Sequence, residues 1–318
     1  MLMRQTKAKM SKQPNADSHS DGFVFVTSTK KQRKSRNFAK RYAKPTNSSE
    51  QGRVSRSPVN VEQFLRCLEE TQFDLKSSEY FLNTTKQVLP ILGAAQLKRI
   101  LCLGLGKILD CPIARHQLAF IRCLKEELGF SGSIEYFDPV FCEQAIRVLE
   151  RLGGVVLREN CEGKYSADVG TLFYLPHCPK QISNNLLWRN WSKEVLGKVF
   201  LIGNSFAGII SNCPKRFLDQ NAHFILEAED LCREIPLDNT YKHTDIFNDT
   251  SLHYFDDTAF GDKPEAFWVS TEPEYTEEDL ELITRNIQTG LTLSDNGSNP
   301  GDHQHAEEAS DRTEGHNS

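Results

Sequence analysis

Short apolar runs alternating with helix-length segments constrain this chain more than any other feature. Arg99–Leu103 (RILCL), Ile134–Phe137, Val155–Leu157, Leu172–Leu175 and Val199–Ile202 each read as a buried strand. Each lacks the polar alternation of a sheet with one wet face, so each expects cover on both sides. Between them lie segments that read as helices. One starts at Cys111-Pro112, with proline in the first turn where its missing N–H costs nothing, and runs to about Leu128. Others run from Asp138-Pro139 to about Leu152 and through Leu187. Strands joined by helices imply right-handed βαβ crossovers. The expected fold is α/β, a doubly wound, Rossmann-like, mostly parallel sheet with helices on both faces and disordered termini. Val199–Ile202 reads as its last clear strand, with a further helix near Phe224–Cys232.

The flanks differ from this middle. Residues 1–57 read as a disordered basic leader, because 14 Lys/Arg stand against 3 Asp/Glu before Ser57. Residues 58–95 form a helical lead-in. Val61, Phe64, Leu65 and Leu68 mark one helix face, and a second helix spans Ser77–Leu89 and stops at Pro90. The α/β domain is expected at 96–258. Residues 259–318 form an acidic, mostly disordered tail with a helix near 277–287; 12 Asp/Glu against 2 Lys/Arg follow Ser270. The 9 cysteines are scattered without a C-x-x-C pair, and no apolar run reaches about 18 residues. The expectation is a reducing, non-membrane compartment, cytoplasmic and/or nuclear. The run Lys30–Arg41 (KKQRKSRNFAKR) reads either as an import signal or as a solvated tail. The modestly acidic middle carries no footprint for direct nucleic-acid binding.

Several residues fall at strand ends, where open α/β sheets bind ligands. Gly104 and Gly106 follow the first strand and let the backbone approach a phosphate or ribose, or else permit a tight turn. Asp138 ends the second strand and is placed to hold ribose hydroxyls or to cap a helix. Together they resemble the cofactor corner of S-adenosylmethionine-dependent methyltransferases more than that of dehydrogenases. An S-adenosylmethionine or nucleotide-like cofactor is the ligand they imply. His177 reads as a half-buried hydrogen-bonded residue or as a general acid/base facing a pocket. Because His177 and Cys178 are adjacent on an extended segment, they point apart, and no metal site is expected.

Gly203-Asn204-Ser205-Phe206-Ala207 approximates a nucleophile elbow, with Asp245 or Asp249 and His253 in hydrolase order. The plainer reading is a turn in which Asn204 and Ser205 bond the backbone. Three Cys-Pro dipeptides, at Cys111, Cys178 and Cys213, fit either haem-ligating thiolates on exposed loops or small fillers before helix-starting prolines. Asn184, Asn185, Trp188, Asn190 and Trp191 read either as a helix with a leucine/Trp191 core face and asparagine caps, or as a protein-partner surface.

These strings in combination resemble the family named for plants with "sensitivity to red light reduced", and its animal members. The resemblance rests on Leu103–Gly106, Ala114–Leu118, Tyr136–Pro139, Thr171–Cys178, Asn184–Leu187 with Asn190-Trp191, Ile202–Phe206 and Phe247–His253. It covers roughly residues 96–255. It implies a regulatory protein linked to circadian clock input, clock-gene expression and control of haem biosynthesis. It brings no established catalytic activity. Ligand or protein-partner binding is the mode of action it implies, with an S-adenosylmethionine- or nucleotide-dependent enzyme as the alternative.

Overall fold

A computed structural model describes residues 60–275 apart from residue 262. The expected basic leader at 1–57 and the helix expected near 277–287 lie outside those residues. The apolar runs become parallel neighbours: β1 (Arg99–Leu103), β2 (Ile134–Phe137), β3 (Val155–Val156), β4 (Thr171–Leu175) and β5 (Val199–Asn204). Their order is β3-β2-β1-β4-β5, that of a doubly wound sheet. Successive side chains leave opposite faces, and both faces are covered. Ile100, Cys102, Tyr136, Tyr174 and Ile202 join one core. Leu101, Leu103, Phe137, Phe173 and Leu201 join the other.

The first core lies under α1 (Val61–Lys76), α2 (Glu79–Ala94), α3 (Pro112–Glu127) and α4 (Glu143–Arg151). The second lies under α5 (Lys180–Arg189), α6 (Lys193–Leu196), α7 (Phe206–Asn212), α8 (Lys215–Asn221) and α9 (His223–Glu227). The crossovers therefore change face between β1 and β4, the position at which open α/β sheets bind ligands. Among the described residues no helix is long and apolar enough to cross a membrane.

Four local expectations need correction. Pro90 does not end the second helix. It sits inside α2, because Val88 and Leu92, both buried, flank it and hold the next turn to the core. The sheet does not finish at Val199–Ile202. β6 (Cys232–Pro236) and β7 (Thr250–Phe255) follow, with β7 inserted antiparallel between β5 and β6. The helix expected near Phe224–Cys232 is the shorter α9, and Cys232 already belongs to β6. The folded part also runs past the expected edge at 258, through 3-10 turns at Asp257–Ala259 and Glu265–Trp268.

The Asn/Trp string lies on α5 and the turn after it. Leu186 and Leu187 are buried, as the helix reading requires. Trp191 is buried too, packed against Phe224, Phe267 and Trp268, so it offers no partner surface, and Trp188 is half-buried. Asn184 and Asn185 are not end caps but internal staples. Asn190 follows the helix and holds three backbone groups. Its Oδ1 accepts from Ala167 N–H at 2.7 Å, and its Nδ2 donates to the carbonyls of Tyr165 at 2.9 Å and Leu186 at 2.8 Å. Asn190→Ala leaves a buried amide and two carbonyls without it. Urea unfolding should show a loss of roughly 2–4 kcal/mol; a loss under about 0.5 kcal/mol would mean that other groups satisfy this turn.

Candidate functional site

The turn after β1 is built around two glycines in the left-handed region, Gly104 at φ +74° and Gly106 at φ +76°. Such angles cost a residue with a side chain about 1–2 kcal/mol. Leu105 between them turns into the first core. Asp138, directly after β2, reaches across to this turn. Its Oδ2 accepts the Gly106 N–H at 2.6 Å and its Oδ1 accepts the Val140 N–H at 2.9 Å. The carboxyl is buried, and burial raises its pKa from an ordinary 3.8 to about 6, against the lowering effect of the Val140 and Gly106 amides. Glycine corner and acid are thus one unit, as their positions at adjacent strand ends required.

Cys178 couples this corner to β4. Its thiol donates to the Leu103 carbonyl at 3.4 Å, and the sulfur occupies the space a Cβ on Gly104 would need. Only glycine fits opposite it. Burial holds the thiol well above its usual range, so Cys178 is not the exposed-loop thiolate that haem ligation calls for. The other two Cys-Pro cysteines, Cys111 before α3 and Cys213 after α7, are half-buried fillers at helix ends.

His177 is also in the left-handed region, at φ +53°. Its Nε2 lies 3.1 Å from the Asn248 carbonyl and its Nδ1 3.4 Å from Gln117 Nε2. A carbonyl only accepts, so Nε2 is the donor in the contact with Asn248. Gln117 Nε2 also reaches the Ile246 carbonyl at 3.2 Å. His177 therefore pins α3 to the loop before β7, and both its nitrogens are engaged.

Asn204 donates from Nδ2 to the Cys178 carbonyl at 2.8 Å, joining the ends of β5 and β4. Ser205 caps α7: its Oγ accepts the Gly208 N–H at 2.9 Å and donates to Glu234 Oε1 at 2.5 Å. Glu234, on β6, gathers further donors, from Ser251 Oγ at 2.8 Å and Ala207 N–H at 2.9 Å. Burial works to raise the Glu234 value. The ring of His253, the Ser205 hydroxyl and the Ala207 amide outweigh it and bring it from 4.5 down to about 2. His253 Nδ1 lies 3.2 Å from the Leu201 carbonyl, and its Nε2 lies 3.3 Å from the Phe206 amide nitrogen and 3.7 Å from Glu234 Oε2.

The elbow reading fails on this geometry. His253 stacks on Phe206 and serves the backbone, and Ser205 gives its proton to a carboxylate too weakly basic to activate it. Asp245 and Asp249 are not hydrogen-bonded to His253; Asp249 instead offers its carbonyl to the Ser205 N–H. Glu234 was missed in the sequence because Cys232–Pro236 did not read as a strand. The signal that would have found it is its register, opposite His253. A groove of about 700 Å³ lies away from this edge, between α8–α9 and residues 266–274.

Comparison with known proteins follows the same residues. The SRR1 domain model matches residues 75–254. The chain is 39% identical over 229 residues to an SRR1-like protein of Drosophila melanogaster, covering 71% of this chain and 80% of the relative. It is 41% identical over 143 residues to an SRR1-like protein of Mus musculus, 44% of this chain and 57% of that protein. It is 34% identical over 161 residues to Protein SENSITIVITY TO RED LIGHT REDUCED 1 of Arabidopsis thaliana, 48% of this chain and 57% of that protein. No solved structure matches.

The two carboxylates act on stability in separate pH windows. Between about pH 6 and 3.8 the folded state binds the Asp138 proton first, so this group adds stability as pH falls, on the order of 3 kcal/mol in all. Glu234 stabilises above 4.5, and its contribution is lost as pH falls from 4.5 towards 2. Urea unfolding at stepped pH should find the upper window flattened by Asp138→Asn and the lower by Glu234→Gln. Identical profiles in wild type and Asp138→Asn would contradict the placement of a buried, ionising Asp138.

Proposed function

The chain belongs to the SRR1 domain family, and from that premise we propose a regulatory protein that acts by binding at the C-terminal edge of its sheet. The glycine corner at Gly104, Gly106 and Asp138 takes a nucleotide-like small molecule, and protein partners respond to it. The biological setting is the one the family resemblance implies: circadian clock input, clock-gene expression and regulation of haem biosynthesis. The name of the Arabidopsis relative ties that protein to red-light sensitivity. The protein works in the cytoplasm, the nucleus or both, without direct nucleic-acid or membrane contact by the folded domain.

The observation that carries this reading is the saturation of the edge. His177, Asn204, Ser205 and Glu234 all spend hydrogen bonds on the fold. Among the described residues of this edge no hydroxyl or thiol stands against a free base, as nucleophilic catalysis would need. Such a frame is suited to holding a ligand in one geometry. A second reading, an S-adenosylmethionine- or nucleotide-dependent enzyme, is favoured by one feature: two left-handed glycines after β1 joined to an acid after β2. Asp138 would then hold ribose hydroxyls, and His177 or Asn204 would position the acceptor.

Removing the protein from cells should alter the amplitude or period of clock-gene transcripts and change haem output. Wild-type protein should restore both, and Asp138→Asn at equal protein level should not. Full rescue by Asp138→Asn, or no effect of removal, would contradict the proposal.

A further inference from the structure

The segment after β7 folds back along α5 as a strap and ends, among the described residues, at Tyr275. Lys193 pairs with Glu265 at 2.7 Å, and the Trp191 ring packs on Phe267 and Trp268. Trp191 Nε1 donates to the Phe267 carbonyl at 3.0 Å. Lys164 pairs with both Glu272 and Glu162. The Tyr275 hydroxyl accepts from Asn184 Nδ2 at 2.8 Å and donates to Asn185 Oδ1 at 2.7 Å, with the Gln181 carbonyl at 3.5 Å.

Asn184 and Asn185 are each 1% exposed, and their other ends are committed. Asn184 Oδ1 accepts the Phe224 N–H at 2.8 Å, and Asn185 Nδ2 donates to the Glu162 carbonyl at 2.7 Å. The adjacent asparagines thus present one donor and one acceptor to a neutral phenol. A phosphate ester at the same oxygen would bring about −1.5 to −2 charges and only acceptor oxygens, facing Asn185 Oδ1 and the Gln181 carbonyl. The segment around it is acidic as well, with Glu272 and Glu274 before the tyrosine and Glu277, Glu278 and Asp279 after it. Such surroundings suit the substrate of an acid-directed tyrosine kinase and repel added negative charge once the strap is seated.

We propose that Tyr275 is a phosphorylation site that works as a latch, so that its modification frees the strap from α5. The kinase transfers the γ-phosphoryl group of a nucleoside triphosphate. A P–O bond forms to the Tyr275 oxygen as the bond to the β-phosphate oxygen breaks; nucleoside diphosphate leaves and the phenolic proton passes to the kinase's base. The ester cannot reseat between the asparagines. Release removes one wall of the groove of about 700 Å³ and uncovers Trp191 and Phe224, an aromatic face that a partner can then reach.

The test uses the full chain, treated with an acid-directed tyrosine kinase and ATP, with the site confirmed by mass spectrometry. Amide hydrogen exchange over residues 265–275 should become roughly tenfold faster or more on modification. Tyr275→Phe, treated identically, should exchange as its own untreated sample does. Unchanged exchange in protein phosphorylated at Tyr275 would overturn the proposal. So would failure to modify Tyr275 under conditions that modify a free peptide of residues 268–282, because the strap would then never release.

Discussion

The edge of this sheet depends on the buried carboxyl of Asp138 and its two amide partners. Without it the Gly106 and Val140 N–H groups would lose their acceptor, at roughly 1–3 kcal/mol for each one left buried. From there a chain of side-chain-to-backbone bonds runs along the strand ends. Asp138 ties the end of β2 to the turn after β1. The Cys178 thiol ties β4 to Leu103, and Asn204 ties β5 to Cys178. Each link is short and directional, so the loops that would carry a ligand are fixed by the same residues that would touch it. That economy explains why polar residues interrupt apolar strings at these positions.

Much of the fold was legible because β1, β2, β4 and β5 are covered on both faces and read as short, mainly apolar runs, with Arg99 and Glu135 the charged exceptions. The same logic hid β7. It lies inside the sheet and is buried, but its Ser251 and His253 look like loop residues until Glu234 and the Phe206 amide appear as their partners. β6 lies at the sheet edge, and its charged residues broke the apolar pattern. Pro90 misled because the local rule against proline in a helix was outweighed by two buried neighbours one turn apart. At the site, Gly104, Gly106, Asp138, His177, Asn204 and Ser205 were all found at strand ends, since position along a βα unit is written in the sequence. Their pairings were not. That Asp138 serves Gly106, or that Cys178 fills the space beside Gly104, follows from contacts between segments tens of residues apart.

The two faces of the sheet divide the labour. On one, α1–α4 enclose a large apolar core with stacked aromatics such as Tyr80 and Phe247. On the other, short helices α5–α9 are stitched by asparagine side chains and overlaid by the acidic strap. A core held by apolar area resists local change. The second layer encloses an apolar core as well, and its asparagine bonds add directional links between the helices and the strap. The strap seats on α5, which leads directly out of the Cys178-Pro179 turn that supports the corner.

The central claim is that the Asp138 corner binds a nucleotide-like ligand. It is tested most directly by thermal unfolding of the full chain against S-adenosylmethionine, S-adenosylhomocysteine, NAD(P), ATP and hemin. A ligand at 100 times its dissociation constant adds about 2.7 kcal/mol, a rise of roughly 5–11 °C for a domain of this size. The account predicts such a rise with one of the nucleotide-like compounds and its loss in Asp138→Ala. No rise with any of them, or a rise that survives Asp138→Ala unchanged, would contradict it.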